Sequence, residues 1–117
     1  VGQTPGEDSY VIFIVVKFPV RADFTDRWLD LVADFTAATR AEPGNVFFEW
    51  SRSVDEPNEF VLIEGFRDGE AGAAHVGSQH FTQAMASLPD AISAKPKIIS
   101  VPIEATGWSE MAELTPR

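Results

Sequence analysis

The chain has 117 residues, of which 44% are hydrophobic. That suits one globular domain with a modest core and excludes a disordered chain. A net charge of −9 argues against nucleic acid and against an anionic membrane surface, because both need clustered Lys and Arg. The absence of cysteine removes disulfides, thiolate nucleophiles, iron–sulfur clusters and Cys-based zinc sites, and it fits a cytoplasmic protein.

Residues 1–9 are polar, lack a hydrophobic signal segment and read as a flexible leader. No apolar run approaches the roughly 20 residues a transmembrane helix needs. YVIFIVVKF (10–18) is a β-branched apolar run without alternation, which predicts a strand buried on both faces. RADFTDRWLDLVADFTAATRAEPG (21–44) predicts a helix. Phe24, Trp28, Leu31, Phe35 and Ala38 step by four and three along one stripe, and Trp28 and Phe35 read as core. Glu42-Pro43-Gly44 reads as a helix stop followed by a turn.

NVFFEWSRS (45–53) and EFVLIEGF (59–66) predict two strands joined by a hairpin at VDEPN. By parity Phe48 and Trp50 share one face of the first, and Phe60, Leu62, Glu64 and Phe66 share one face of the second. Asn45 falls on the opposite face from Trp50, so both can line one pocket only through a bulge or a shared strand end. Both faces of these strands carry large apolar side chains, so a second layer or a partner chain is expected on each side.

DGEAGAAHVGSQHFTQAMASLPD (68–90) predicts two helical segments hinged near Gly77, with Ser78 as the N-cap of the second. Phe81, Met85 and Leu88 form its apolar stripe. KPKIISVPIEA (95–105) predicts a last strand, which Pro102 pushes toward an edge or a bulge. Residues 106–117 form a polar tail. The order strand, helix, strand, strand, helix, strand is the ferredoxin-like α+β pattern: a four-stranded antiparallel sheet with helices on one face. The other face should meet a second copy, giving a dimeric α+β barrel.

Both histidines lie in AGAAHVGSQHF. A helical metal pair wants histidines four apart. At five apart the rings diverge by about 140°, and Gly77 breaks the helix between them. Without cysteine a metal site would need distant carboxylates, so no metal site is expected. His75 has two readings: a satisfied polar group of the core, or a general base oriented by Glu64, whose carboxylate would otherwise be costly among Phe60, Leu62 and Phe66. His80, beside Phe81 at a helix start, reads as a half-exposed ring at a pocket mouth.

The run from Thr39 to Phe81 resembles the antibiotic biosynthesis monooxygenase domain, of the quinol monooxygenase type. The shared features are EPG closing the first helix, the hairpin Asp55, Pro57, Phe60, the glutamate of FVLIEGF (Glu64), an Ala-rich helix with His75, and Ser78, His80, Phe81 after it. Phe66 stands where the family often has Trp, and Phe48 where it often has Tyr, which removes a phenol hydroxyl. The resemblance covers about residues 10 to 104. It implies a homodimeric barrel formed through the open sheet face, with a pocket between sheet and helices.

The resemblance also implies a monooxygenase that oxidises a quinol-like or polycyclic phenol with O2 as co-substrate and no cofactor. His75 and Glu64 would be the catalytic pair. Asn45, Phe48, Trp50, Phe66, His80, Phe81 and Met85 would bind the small aromatic substrate. The same barrel also hosts small-molecule isomerases, non-catalytic ligand-binding modules and haem-degrading enzymes, and fold alone does not choose among them.

Overall fold

The computed structural model of the protein describes residues 10–117; the leader expected over residues 1–9 lies outside the described residues. Four strands form one antiparallel sheet: β1 (Tyr10–Pro19), β2 (Asn45–Arg52), β3 (Glu59–Phe66) and β4 (Lys97–Glu104). Their order is β2-β3-β1-β4, so β1 and β3 are central and β4, with its Pro102, is an edge. This is the ferredoxin-like α+β topology that the order of predicted elements requires.

The first helical region is not one helix. A 3₁₀ turn (Thr25–Arg27) leads into a single turn, α1 (Trp28–Leu31), and then α2 (Ala33–Arg40), with Val32 between them at φ −96°, ψ 5°. The break rotates the buried stripe away from the expected one. Trp28 and Val32 are fully buried and Thr36 and Thr39 follow, while Leu31 turns out to solvent. Trp28 anchors the core. Its ring lies 5.4 Å from Phe18, 6.0 Å from Phe60 and edge-on to Trp50 at 5.7 Å.

The second helical region divides where Gly77 predicts. α3 (Gly69–Val76) starts at Asp68, whose carboxylate accepts the Ala71 amide, and α4 (Gln79–Ser87) starts at Ser78, whose Oγ accepts the Phe81 amide. Ser78 also donates from its hydroxyl to the His75 carbonyl at 2.6 Å. One serine thus caps the second helix and tethers it to the end of the first, which fixes the angle between His75 and His80.

β1 pairs Phe13 with Val101 and Val15 with Ile99 and Ile63. These side chains lie on the face away from the helices, with Phe47 of β2. Ile99 is 64% exposed and Val101 41%. The interior run of β1 is therefore only half-buried within one chain. After β4 the tail carries Trp108, whose ring packs on Phe47 at 5.5 Å, and Phe47 meets Phe13 at 6.0 Å.

At the corner after α2, a Cβ on Gly44 would collide with the Ala71 Cβ of α3. Only the missing side chain lets this turn lie against the helix. Gly44→Ala is expected to cost about 1–3 kcal/mol through overpacking, measurable as a lower urea midpoint. It should also lower any activity of the site below, since it separates the corner from α3.

Candidate functional site

The site forms where the end of the first helical region meets the break between α3 and α4. Burial of α3 on the sheet carries His75 inward, leaving it 4% exposed. Its ring sits in a cage of Phe66 (4.9 Å), Phe81 (5.2 Å, edge-on), Phe35 (5.7 Å) and Phe48 (6.2 Å). Such a cage holds the ring still and keeps water out.

Glu42 orients His75. Its Oε2 lies 2.8 Å from His75 Nδ1 and 2.5 Å from His80 Nε2, so one carboxylate oxygen is clasped by two imidazoles. Glu64, the expected orienter, is near but not bonded: its Oε1 is 3.7 Å from His75 Nε2, on the opposite edge of the ring. The four groups run in series from His80 through Glu42 and His75 to Glu64. His80 is the outer member and is partly exposed.

Glu64 is buried beneath His75. Burial, with a smaller contribution from the Glu42 charge, pushes its carboxyl up from 4.5 to about 7. Desolvation of the carboxylate is the physical cause. For an acid raised in the folded state, the stability it contributes is fully present below pH 4.5 and is lost as pH rises through about 7. Glu64→Gln should therefore leave stability unchanged below pH 4.5. It should become increasingly stabilising toward pH 7 and level off above. Urea midpoints from pH 4 to 8 in the presence of chelator check this; a constant difference at every pH would refute it.

The other expected residues are distributed unevenly. A bulge between Asn45 and Phe47 resets the parity of β2, so Asn45 pairs with Phe66 while Phe48 pairs with Glu64 and Trp50 with Leu62. Asn45, Phe48 and Trp50 thus share the helix-side face, as a common pocket would need. The Asn45 amide is nonetheless engaged, donating to the Phe47 and Gly65 carbonyls at 3.0 and 3.2 Å, where it stitches the bulge. Trp50 donates its indole N–H to Thr36 Oγ1 at 2.9 Å and packs in the Trp28 core. Phe48, Phe66 and Phe81 touch His75. Met85 is 45% exposed on α4 and lines neither the cage nor the groove beside it.

Phe35 serves twice: as expected it packs against the core, partly buried, and its ring also lies 5.7 Å from His75 and 6.1 Å from His80. Glu42 was missed altogether. In sequence it belongs to a helix-ending EPG, and nothing local shows that the turn brings its carboxylate to residues 33 and 38 positions away.

A groove of about 320 Å³ opens between α2 and α4, lined by Leu31, Phe35, Ala38, Ala84 and Leu88, with His80, Asp34 and Gln83 among its polar groups. Its size is that of a small-ligand site. His80 is the only one of the four linked groups on its wall.

A ferredoxin-like antiparallel sheet whose helices bring a buried and a partly exposed histidine to one carboxylate defines a small α+β domain. The sequence pattern of the antibiotic biosynthesis monooxygenase family matches residues 11–87, and the chain belongs to that family. Solved structures share the fold. A conserved protein of Methanosarcina mazei Go1 is 18% identical, with a TM-score of 0.76, over 81% of this chain and 94% of that one. A Mycobacterium tuberculosis protein is 22% identical, with a TM-score of 0.72, over 87% and 98% of the two chains. An antibiotic biosynthesis monooxygenase is 20% identical, with a TM-score of 0.71, over 77% and 95%. No curated protein matches the sequence. Among the described residues no helix is long and apolar enough to cross a membrane.

Proposed function

We propose that the chain is a cofactor-independent monooxygenase that uses O2 to oxidise a quinol-like or polycyclic phenolic substrate held in the groove beside His80. The observation that carries this reading is the Glu42 carboxylate clasped between a caged His75 and a groove-facing His80. With its Nε2–H donated to Glu42, His80 keeps Nδ1 free to accept a phenolic proton, and the resulting cation is held against the carboxylate. His75, almost without solvent contact, positions Glu42 and does not itself reach substrate. This reverses the expected roles of the two histidines.

Deprotonation makes the substrate electron-rich enough to pass one electron to O2. Recombination of the two radicals forms a C–O bond, and loss of water leaves a quinone. For an anthrone, one CH2 becomes C=O and the second oxygen atom leaves as water, with no outside reductant. The apolar lining from Leu31, Phe35, Ala84 and Leu88 suits a flat polycyclic ring.

The test is O2 uptake by chelator-treated protein, followed by electrode, over a panel of anthrones and hydroquinones. Uptake above autoxidation and insensitive to chelator is expected. No uptake across the panel would overturn the oxygenase reading in favour of a binding module on the same fold.

The same reading includes a homodimer formed through the open sheet face and a cytoplasmic location. Ile99 and Val101 are exposed on that face, with Phe13, Val15, Ile63 and Phe47 half-buried beside them, and this apolar face supports the dimer reading. Sedimentation should give twice the 12.8 kDa chain mass, and Ile99→Lys should yield a monomer. A monomeric parent chain would remove this part of the proposal.

A further inference from the structure

Glu42 Oε2, His75 Nδ1 and His80 Nε2 all lie within 4.8 Å of one another. They come from three separate segments: the turn after α2, the last turn of α3 and the first turn of α4. We propose that these three atoms form a binding site for a divalent transition-metal ion of the zinc class, one ion per chain.

The donor set is two imidazoles and one carboxylate. It favours zinc, nickel or copper(II) over magnesium or calcium, which take oxygen-only shells. Bonds of about 2.0–2.2 Å in tetrahedral geometry set ligand atoms about 3.3–3.5 Å apart. At 2.8 and 2.5 Å, the carboxylate oxygen is now closer to the rings than that. Loading therefore requires the carboxylate to withdraw by about 1 Å or less and the two ring nitrogens, which lie up to 4.8 Å apart, to close toward the ion by about 1 Å. The partners differ in freedom to adjust. His75 is fixed by the Phe66 and Phe81 rings, whereas His80 is partly exposed at the groove and can turn.

The surroundings support ligation beyond the three atoms. A metal-bound histidine commonly has a carboxylate on its second nitrogen, which fixes the ring and raises its basicity. Glu64 Oε1 stands at 3.7 Å from His75 Nε2, on the edge facing away from the proposed ion. Of the three ligands His80 alone stands on the wall of the groove, so the groove is the proposed side of approach for the ion and any fourth, non-protein ligand. The spacing of the two histidines and the helix break at Gly77 both argued against a metal when taken locally. In the structure the turn at Gly77 and Ser78 brings both rings to one carboxylate, which is supplied from a distant segment.

Binding of the ion does not rest on the proposed oxygenase reaction. If that reaction holds, the ion takes the carboxylate and ring nitrogens on which the base depends, so metal loading switches turnover off reversibly.

The experiment reads binding and not turnover. The full chain, stripped with chelator, is titrated with Zn2+ by calorimetry, and Co2+ is followed by its visible absorption. One saturable ion per chain is expected, with a ligand-field band of four- or five-coordinate Co2+. Glu42→Gln and His80→Ala should each weaken binding by more than about 100-fold, and Glu64→Ala by about 10- to 100-fold. Glu49→Gln, on the opposite sheet face, should change nothing. His80 is at a partly exposed position, so its variant retains the fold, and circular dichroism checks this. Weak, unsaturable uptake in the parent chain, or equal affinity in His80→Ala, would assign the cation to the acidic surface and overturn the site. Absence of O2 uptake in the oxygenase assay leaves this result standing.

Discussion

His80→Ala is expected to lower the turnover of a phenolic substrate by about 10²- to 10⁴-fold, the range a positioned general base contributes. The variant should keep its fold, because His80 is partly exposed and its loss leaves Glu42 still bound to His75. His75→Ala should differ in kind. It removes the ring that lies between Glu42 and Glu64, leaving two carboxylates facing a cavity walled by Phe35, Phe66 and Phe81. Both stability and turnover should fall, with the stability loss about 3–5 kcal/mol, as for a buried pair deprived of one partner. Steady-state O2 uptake paired with urea unfolding separates the two. If His80→Ala retains full turnover, His80 is not the base. If His75→Ala retains both turnover and stability, the linked series of groups has no functional meaning.

The second large effect is expected at Trp28→Ala, which should destabilise the fold by about 3–5 kcal/mol. Trp28 is fully buried and joins elements far apart in sequence: Phe18 of β1, Trp50 of β2 and Phe60 of β3 all pack on its ring. Removing it opens a void at the centre of the sheet-to-helix interface, and three aromatic neighbours cannot all collapse into it. Among the described residues its indole N–H has no hydrogen-bond partner, so the expected loss is one of packing. Trp28→Phe should recover most of it. Unfolding followed by circular dichroism measures both variants; a Trp28→Ala loss near 1 kcal/mol would mean that the core repacks.

The fold was legible because its signals are local. Uninterrupted β-branched runs, the Pro57-Asn58 hairpin, Gly77 before Ser78 and Pro102 in the last strand each constrain a few neighbouring residues, and their order leaves one simple topology. Periodicity misled where the chain departs from regular geometry. The stripe Phe24, Trp28, Leu31, Phe35, Ala38 presumes an unbroken helix, and the kink at Val32 puts Leu31 in solvent and swings Phe35 over the histidines. At Asn45 parity alone gives the opposite face, and the bulge that would reconcile it with Trp50 is present: one extra residue moves Asn45 to the Trp50 face of β2.

By itself, the sequence determined the element order, the antiparallel sheet, the helix break between the histidines and the family to which the chain belongs, all of which depend on residue types at short spacing. Tertiary structure alone decided that Glu42, and not Glu64, holds His75, that His80 shares the same carboxylate oxygen, and that Asn45 and Trp50 are occupied elsewhere. The Asn45 and Trp50 hydrogen bonds reach 20 and 14 residues along the chain, whereas the two Glu42 contacts join residues 33 and 38 apart. Their geometry follows from how closely the Gly44 corner lies against α3, a packing distance that no local pattern encodes.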